Sequence, residues 1–240
     1  MIETLGLEKK FKDVAAVNGI NLTVQTGEIF GLLGENGAGK TTTLRMLATM
    51  LMPTSGTARV GGFDIIKDSE KVRANIGVLF GSDVGLYDRL TTKENIAYFG
   101  QLNGMDAKDI DKNVMRLADA FGLSEYIDKK AGKLSKGNRQ KTAFARTVIH
   151  DPDYMFFDEP TSGLDIRAAR DVHAFIKQCK AQGKTIVLSS HHMDEVEKLC
   201  DRIAILHKGE IMDIGTIKEL VEKYNCEDLE QVFFKLTEGA

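Results

Sequence analysis

The sequence predicts an α/β fold built on a largely parallel sheet, with a helical segment inserted between two of its strands. Two observations lead to this prediction. Short runs rich in Val, Ile, Leu and Phe recur along the chain, and such runs are typical of strands buried on both faces of a parallel sheet. Residues 92–150, in contrast, mostly carry apolar side chains at helical spacing. An α/β core with a helical insertion near 85–150 accounts for both patterns.

The individual elements follow from these periodicities and from the glycine-rich turns between them. The expected buried strands are 75–80, 153–158, 185–190 and 202–207. Further short strands are expected at 17–25, 28–33 and 57–63, with a hairpin turn at Gly61-Gly62. The expected helices are 40–51, 92–103, 107–121, 135–149, 166–181 and 193–199. Residues 216–240 also carry helical patterning, which favours an extension docked on the core.

Composition limits the class of protein. The chain has 240 residues, 42% hydrophobic and 28% charged, so it can bury a full core. Its formal net charge of −3 gives no basic surplus, which disfavours nucleic-acid binding as the main role. No stretch approaches the roughly 18 apolar residues of a membrane span, and the N-terminus lacks the apolar region of a secretory signal. We therefore expect a soluble chain that begins inside the cell, with its three cysteines reduced.

The strongest chemical signal is the run Gly34-Glu35-Asn36-Gly37-Ala38-Gly39-Lys40-Thr41, which matches the pattern GxxxxGK[ST] between a predicted strand and a predicted helix. Glycines let successive backbone N–H groups turn inward around phosphate oxygens, and the following helix presents its positive N-terminus to them. Lys40 can supply a charge to the β- and γ-phosphates, and the Thr41 hydroxyl can coordinate Mg²⁺. The run therefore predicts a nucleotide-binding P-loop rather than a glycine-rich surface turn.

A pair of carboxylates follows the predicted strand at 153–158. Asp158 ends the apolar run, where a second anchor for the metal ion is required. Glu159 comes next, and a carboxylate beside the metal can polarise an attacking water. Taken alone, such a pair more often caps a helix or lies in a solvated loop. Together with the P-loop, it favours a catalytic interpretation.

In their types and order, these motifs resemble those of the nucleotide-binding subunit of an ABC transporter, from about residue 2 to about residue 215. Leu134-Ser135-Lys136-Gly137-Asn138 resembles the family's signature, and Ser162-Gly163-Leu164-Asp165 resembles its D-loop. Ser189-Ser190-His191 resembles the segment that carries the switch histidine. Phe11 holds the place of the aromatic residue that stacks on adenine. The runs GEIFGLLGENGAGKTT and RQKTAFAR are most similar to bacterial exporter ATPases of the sodium-extrusion (Nat) type and their drug-export relatives.

The resemblance implies catalytic roles for three residues and a metal site for two. Glu159 would be the general base, and His191 would hold the γ-phosphate and orient the water. Lys40 would complete the catalytic group. Thr41 and Asp158 would hold Mg²⁺, so the implied cofactors are ATP and Mg²⁺.

The resemblance also implies that two subunits close head to tail over two ATP molecules. Ser135 and the backbone of Gly137 would reach the ATP bound by the other chain, and Asp165 would couple the two sites. The full set implied to contact nucleotide is Phe11, Gly34, Glu35, Asn36, Gly37, Ala38, Gly39, Lys40, Thr41, Thr42, Ser135, Gly137 and Asp165.

The implied fold is a RecA-like P-loop NTPase core with an antiparallel β subdomain and an inserted α-helical subdomain. We expect a single domain over 1–240, with the core and β subdomain in 1–84 and 151–215. The helical signature subdomain would span 85–150, and 216–240 would form the C-terminal helical extension. The implied partners are a second ABC ATPase subunit, in a homodimer or alternatively a heterodimer, and a separate transmembrane permease, but no nucleic acid. The implied location is cytoplasmic, peripheral on the inner face of the cell membrane.

Two departures from the family pattern bear on these expectations. Gly81 stands where the family has a metal-sensing Gln, so Ser82, Asp83 or a water would have to replace it. Lys136 and Asn138 replace Gly and Gln of the signature, although the phosphate-contacting positions are retained. Lys136 would either add charge near the nucleotide or remain an exposed lysine.

Several alternatives stay open at this point. His192 could take the switch role in place of His191, and Phe11 could belong to the core. His173 is expected at the surface or as a cap. As a whole, the chain could instead act on ribosomes or DNA, or be a nucleotide-gated regulatory module whose hydrolysis is impaired by Gly81.

Overall fold

Two sheets form the framework of the protein in the computed structural model, which describes residues 1–81 and 85–238. The first sheet is antiparallel, with its strands in the order β2-β1-β5-β6 and with β3 paired to β1. Its strands are β1 (Ile2–Phe11), β2 (Val14–Ile20), β3 (Thr23–Val24), β5 (Ser55–Val60) and β6 (Phe63–Asp64). Gly61 and Gly62 form the turn between β5 and β6, as the sequence predicts, and both have positive φ.

The second sheet has six strands in the order β11-β10-β4-β9-β8-β7. They are β4 (Ile29–Leu33), β7 (Ile76–Phe80), β8 (Tyr154–Asp158), β9 (Thr185–Ser190), β10 (Arg202–His207) and β11 (Glu210–Gly215). All neighbouring pairs are parallel except β10 and β11. Every residue of β4 and β9 is buried, so both faces of the sheet are covered. The carboxyl ends of β4, β8 and β9 meet at one edge, where the predicted site residues follow.

Helices cover the faces of this sheet and form the segment between β7 and β8. The helices are α1 (Lys40–Leu47), α2 (Ser69–Ala74), α3 (Thr92–Leu102), α4 (Ala107–Ala120), α5 (Lys136–Thr147), α6 (Ile166–Ala181), α7 (Met193–Leu199), α8 (Ile217–Tyr224) and α9 (Leu229–Thr237). None of the helices in the described ranges is both long enough and apolar enough to cross a membrane.

An aromatic cluster joins the helical segment to the sheet. Phe144 of α5 packs edge-on against Phe157 of β8, with ring centroids 5.1 Å apart. Phe175 of α6 lies 4.3 Å from Phe121, the residue that ends α4. All four rings are buried, and buried aromatic pairs stabilise by about 0.5–1.5 kcal/mol beyond their buried area. The signature helix α5 is therefore packed directly on the strand that ends in Asp158.

Most predicted elements lie within a few residues of their positions, but three elements were not predicted. β1 carries Glu3, Glu8, Lys9 and Lys10 and has register irregularities against both β2 and β5, so it lacks clean alternation. β11 has no fully buried side chain before Gly215. α2 is only six residues long. The single strand predicted over 17–25 is in fact the end of β2 followed by the separate strand β3.

Helix α8 is tied to β11 by the carboxylate of Asp213. Asp213 accepts hydrogen bonds from Lys223 Nζ at 2.6 Å and from Tyr224 Oη at 2.7 Å. Burial tends to raise the pKa of Asp213, but the hydrogen bonds from Lys223 and Tyr224 outweigh burial and lower it. The ionised carboxylate therefore holds α8 against the sheet.

Asp213→Asn is expected to lower the free energy of unfolding by about 1 kcal/mol at pH 7. Because the folded-state pKa of Asp213 is lowered, its contribution is present above the unfolded pKa near 3.8 and is lost as pH falls through the folded value. The difference between the two proteins in urea denaturation should therefore shrink below about pH 4. Glu222→Gln, which removes an exposed ion pair on the same helix, is the control and should change little. An equal loss at pH 7 and pH 3 would contradict the electrostatic explanation.

Candidate active site

The P-loop runs from the end of β4 to the start of α1 and is held tightly by its surroundings. Gly37 and Gly39 have φ values of 88° and 102°, which side-chain-bearing residues rarely adopt. A Cβ atom at Gly34 would lie 2.5 Å from the carbonyl oxygen of Leu206, and one at Gly39 would lie 2.5 Å from that of Ala16. The glycines are therefore required both for the turn and for its close contact with β10 and β2.

Lys40 opens α1 and turns back over the loop. Its side chain is 5% exposed, and Nζ donates to the carbonyl oxygens of Gly34 at 2.6 Å and Glu35 at 2.9 Å. Burial lowers the pKa of Lys40, while the nearby carboxylates of Glu159 and Asp158 act in the opposite direction. A buried ammonium group at the mouth of a P-loop is well placed to receive an anion.

The ends of β8 and β9 supply a network of oxygen atoms beside this lysine. Thr41 Oγ1 lies 2.9 Å from both carboxylate oxygens of Asp158. Ser189 Oγ, at the end of β9, donates to the same carboxylate at 2.5 Å. Hydroxyl and carboxylate oxygens are the ligands that Mg²⁺ prefers, so the residues present fit this ion.

Glu159 occupies a strained position directly after β8. Its φ is 49°, and its backbone N–H is held by the carbonyl oxygen of Ser189 at 3.2 Å and by the Ser189 hydroxyl at 3.1 Å. Non-glycine residues with positive φ are uncommon and concentrate at functional sites. The side chain faces His191, whose Nδ1 lies 2.9 Å from Glu159 Oε1. His192 stacks on His191 instead, so His191 is the histidine that pairs with Glu159.

Three further residues predicted to contact nucleotide are Phe11, Ala38 and Thr42. Phe11 ends β1 and is 47% exposed, so the alternative that it belongs to the core is wrong. Its strand pairs with β2, which reaches the P-loop at Ala16. Ala38 is buried, and its carbonyl oxygen accepts from Gly209 N at 3.1 Å. Thr42 lies in the first turn of α1.

The predicted signature and D-loop residues lie together, away from the P-loop. Ser135 is the N-cap of α5 and accepts a hydrogen bond from Asn138 N, and Asp165 caps α6 through Ala168 N at 2.8 Å. Ser135, Gly137 and Asp165 line a polar groove of about 800 Å³, and no P-loop residue belongs to its lining. Within one chain, therefore, the structure gathers Lys40, Thr41, Asp158, Glu159 and His191, but not the signature.

The structure shows the surroundings of Gly81 and Lys136, two residues that depart from the family pattern. Gly81 has a φ of 71° with open space at its Cβ position, so a Gln here would be strained by the backbone and not by crowding. Ser82 and Asp83, the possible replacements, lie outside the described residues. The Lys136 amine lies over Gly163 of the D-loop, so the signature and the D-loop are in contact.

Sequence reasoning missed the polar residues that support Glu159 and His191. Ser189 binds both Asp158 and the backbone of Glu159, although the motif named only its segment. Glu195 of α7 is buried and accepts from several side chains, one of which is His173. His173 is partly exposed, in keeping with the prediction of a surface position, but its contact with Glu195 was not predicted. Nothing in the helical spacing around Glu195 distinguishes it from an ordinary solvated glutamate.

Comparison with known proteins identifies the family. Residues 17–162 match the family model described as ABC transporter. The "ABC transporter ATP-binding protein NatA" of Bacillus subtilis (strain 168) is 46% identical over 100% of this chain and 99% of its own length. The chain belongs to the ABC transporter family. It is an ATP-binding subunit, and the ATPase class predicted from the motifs is confirmed.

Other ABC relatives agree. The "Probable multidrug ABC transporter ATP-binding protein YbhF" of Escherichia coli (strain K12) is 38% identical over 98% of this chain, which spans 41% of that longer protein. Among solved structures, an ATP-binding subunit of an ABC transporter superposes with a TM-score of 0.90 at 25% identity, covering 98% of this chain and 99% of its own. An ABC cassette solved as a dimer bound to ADP and Pi, in a post-hydrolysis state, has a TM-score of 0.81 at 25% identity and covers 90% and 98%. The predicted P-loop NTPase fold is thus confirmed.

Proposed function

We propose that this ABC subunit hydrolyses Mg²⁺-bound ATP in a head-to-tail dimer and so powers export through a separate membrane permease. The observation that carries the proposal is the 2.9 Å contact between Glu159 and His191 beside the buried Lys40. A carboxylate, an imidazole and a buried ammonium group, gathered at the mouth of a P-loop, are the parts that γ-phosphate hydrolysis needs.

The chemistry within one chain is divided among these groups. Lys40 neutralises charge on the β- and γ-phosphates, and the backbone N–H groups of the P-loop cradle them. Thr41 and Asp158 would hold Mg²⁺, which supplies further charge neutralisation on the phosphate oxygens. Glu159 accepts a proton from the attacking water. His191 holds the γ-phosphate and orients that water. The strained backbone of Glu159 supports this assignment, because strain of this kind is retained where geometry matters for function.

The second chain completes the site. Ser135 caps α5 and lines the groove with Gly137, so the N-terminal N–H groups and the dipole of α5 would be available to an anion. Because this groove is separate from the P-loop of its own chain, we assign it to the ATP of a partner subunit. Asp165 and the rest of the D-loop lie beside it and would couple the two sites. A homodimer satisfies this geometry, and a heterodimer with a related cassette is the alternative.

We propose that the whole chain forms a single ABC ATPase domain. Residues 1–84 and 151–215 would act as the nucleotide-binding core, 85–150 as the helical signature subdomain and 216–240 as a docked extension. Because Lys136 contacts Gly163, a movement of the signature would be transmitted to the D-loop. The subunit would sit on the cytoplasmic face of the membrane, where its permease partner selects the cargo. The similarity to NatA, together with the Nat-type sequence style, favours sodium ions over a drug as that cargo.

The test is ATP turnover and dimerisation of the purified chain, with Mg²⁺ and with EDTA, alone and with the permease encoded beside its gene. We expect turnover only with Mg²⁺, and a dimer only with ATP. Sodium efflux from vesicles that contain both proteins would support the proposed cargo. Binding of ATP without turnover, even with the permease present, would overturn the proposal and favour a nucleotide-gated regulatory module.

Phe11→Ala is expected to weaken ATP binding about 5-fold to 30-fold, because the stacking of an aromatic ring on a base contributes about 1–2 kcal/mol. Phe11→Tyr keeps the ring and should bind ATP as the wild type does. Affinity is measured by calorimetry or by displacement of a fluorescent nucleotide. Inorganic triphosphate, which lacks the base, is the reference ligand. If the wild type, Phe11→Ala and Phe11→Tyr all bind ATP and triphosphate with equal affinity, Phe11 does not contact the base.

A further inference from the structure

The carboxylate of Glu195 is buried at the start of α7, outside the proposed catalytic group. It is 5% exposed and lies at the meeting point of three segments of the chain. Thr161 Oγ1 donates to Oε1 at 2.7 Å, and Ser190 Oγ donates to Oε2 at 2.7 Å. His173 Nε2 of α6 lies 3.1 Å from Oε1. A buried carboxylate is costly unless its oxygens are bonded, so this one depends on all three segments for its stability.

The two hydroxyl donors belong to the loops that carry the catalytic pair. Thr161 lies two residues after Glu159, and Ser190 directly precedes His191. The side chains of Glu159 and His191 are 2.9 Å apart at the front of these loops. Glu195 therefore links the two loops on the side away from this contact. One of its carboxylate oxygens accepts a hydrogen bond from each loop.

A hydrogen bond within each loop links the hydroxyl donor to the neighbouring residue of the Glu159 and His191 pair. On one side, Ser162 N donates to the carbonyl oxygen of Glu159 at 3.1 Å and closes a turn next to Thr161. On the other side, Ser190 Oγ accepts from His192 N at 3.0 Å and closes the turn that contains His191. A shift of either hydroxyl would thus move the backbone of the catalytic residue beside it.

We propose that Glu195 is a positioning residue that sets the separation between Glu159 and His191. This inference rests on the proposed function, since it matters only if that pair acts on ATP. Because Oε1 and Oε2 bond to different loops, the carboxylate cannot follow one loop without lengthening its bond to the other. Displacements of about 1 Å at a catalytic group can reduce turnover as much as 100-fold.

The protonation state of Glu195 is consistent with this role. Burial tends to raise the pKa of Glu195, but hydrogen bonds from His173, Thr161 and Ser190 outweigh it and lower the pKa below its usual range. At neutral pH the group is an ionised acceptor, as two hydroxyl donors on separate loops require.

The test is Glu195→Gln, which keeps the volume but places an NH₂ group opposite one of the two hydroxyls. We expect kcat to fall about 10-fold to 100-fold while the Kd for ATP stays within about twofold of the wild type, because no P-loop contact is altered. Asp194→Asn is the matched control, since this neighbouring carboxylate is exposed and its ion pair with Lys198 is exposed as well. The control should turn over as the wild type does.

A double variant separates positioning from a general loss of structure. If Glu195 acts through the Glu159 and His191 pair, adding Glu195→Gln to His191→Ala should not slow single turnover further. Multiplied losses in the double variant, or wild-type turnover in Glu195→Gln, would overturn the inference. Should Glu195→Gln fail to fold, Thr161→Val and Ser190→Ala each remove one donor, and each should lower kcat without changing ATP affinity. A wild-type chain that shows no turnover even with the permease present would count against the proposed function itself.

Discussion

Glu159→Gln is expected to lower ATP turnover about 100-fold or more while ATP still binds. The amide has the volume of the carboxylate but cannot accept the proton of the attacking water. The backbone of residue 159 is held by Ser189, so the substitution should leave the loop in place. With hydrolysis blocked, the ATP that joins two subunits persists, and the dimer should accumulate. The measurement is steady-state phosphate release, with gel filtration in ATP and Mg²⁺.

Glu197→Gln is the control for this experiment, because Glu197 is an exposed carboxylate on α7 and should have no effect. Turnover that survives in Glu159→Gln would show that another group is the base. A variant that loses ATP binding as well would show that Glu159 supports the shape of the site instead. A wild-type chain that binds ATP but stays monomeric and does not hydrolyse it would show that closure of the dimer needs the permease.

The second large effect is expected from Gly39→Ala. An alanine at a φ of 102° carries backbone strain of about 1–2 kcal/mol. Its Cβ would also lie 2.5 Å from the Ala16 carbonyl oxygen, and relieving such a collision with backbone costs about 1–3 kcal/mol more. We expect a loss of about 2–5 kcal/mol in the free energy of unfolding, with ATP binding abolished because Lys40 follows directly.

Comparison with Gly37→Ala separates the two causes of this loss of stability, the backbone strain and the collision with the Ala16 carbonyl oxygen. Gly37 also has a positive φ, of 88°, but nothing lies within 4 Å of its Cβ position. It should therefore lose only the backbone part, about 1–2 kcal/mol. Urea denaturation of the three proteins without nucleotide gives the comparison. Equal losses in the two variants would contradict the collision at Gly39.

How far the sequence predicts this protein depends on how local each feature is. The strands β7 to β10 are short, buried on both faces and bounded by turns, so their apolar runs predict them to within a residue. The P-loop and the Asp158-Glu159 pair are also local, because each comes from one segment with a fixed spacing. The missed strands β1 and β11 have partly exposed faces and interrupted registers, which weaken the alternation that reveals a strand.

Features that depend on tertiary contacts could not be predicted. The support behind Glu159 comes from Ser189, and the bonds of Glu195 come from residues 161, 173 and 190. Nothing in the sequence near Glu195 indicates which distant donors will meet there. The positive φ of Gly81 is likewise visible only in the fold, and it gives a physical reason why glycine suits that position.

The tight seating of the P-loop has a consequence for affinity. Contacts with β2 and β10, and the two hydrogen bonds from Lys40, fix the shape of the loop from within the protein. The conformational entropy of ordering these residues is therefore lost when the chain folds, and not when ATP arrives. A preorganised loop of this kind lets nearly all of the phosphate interaction contribute to affinity. Conversely, variants that loosen β2 or β10 should weaken ATP binding even though they touch no atom of the nucleotide.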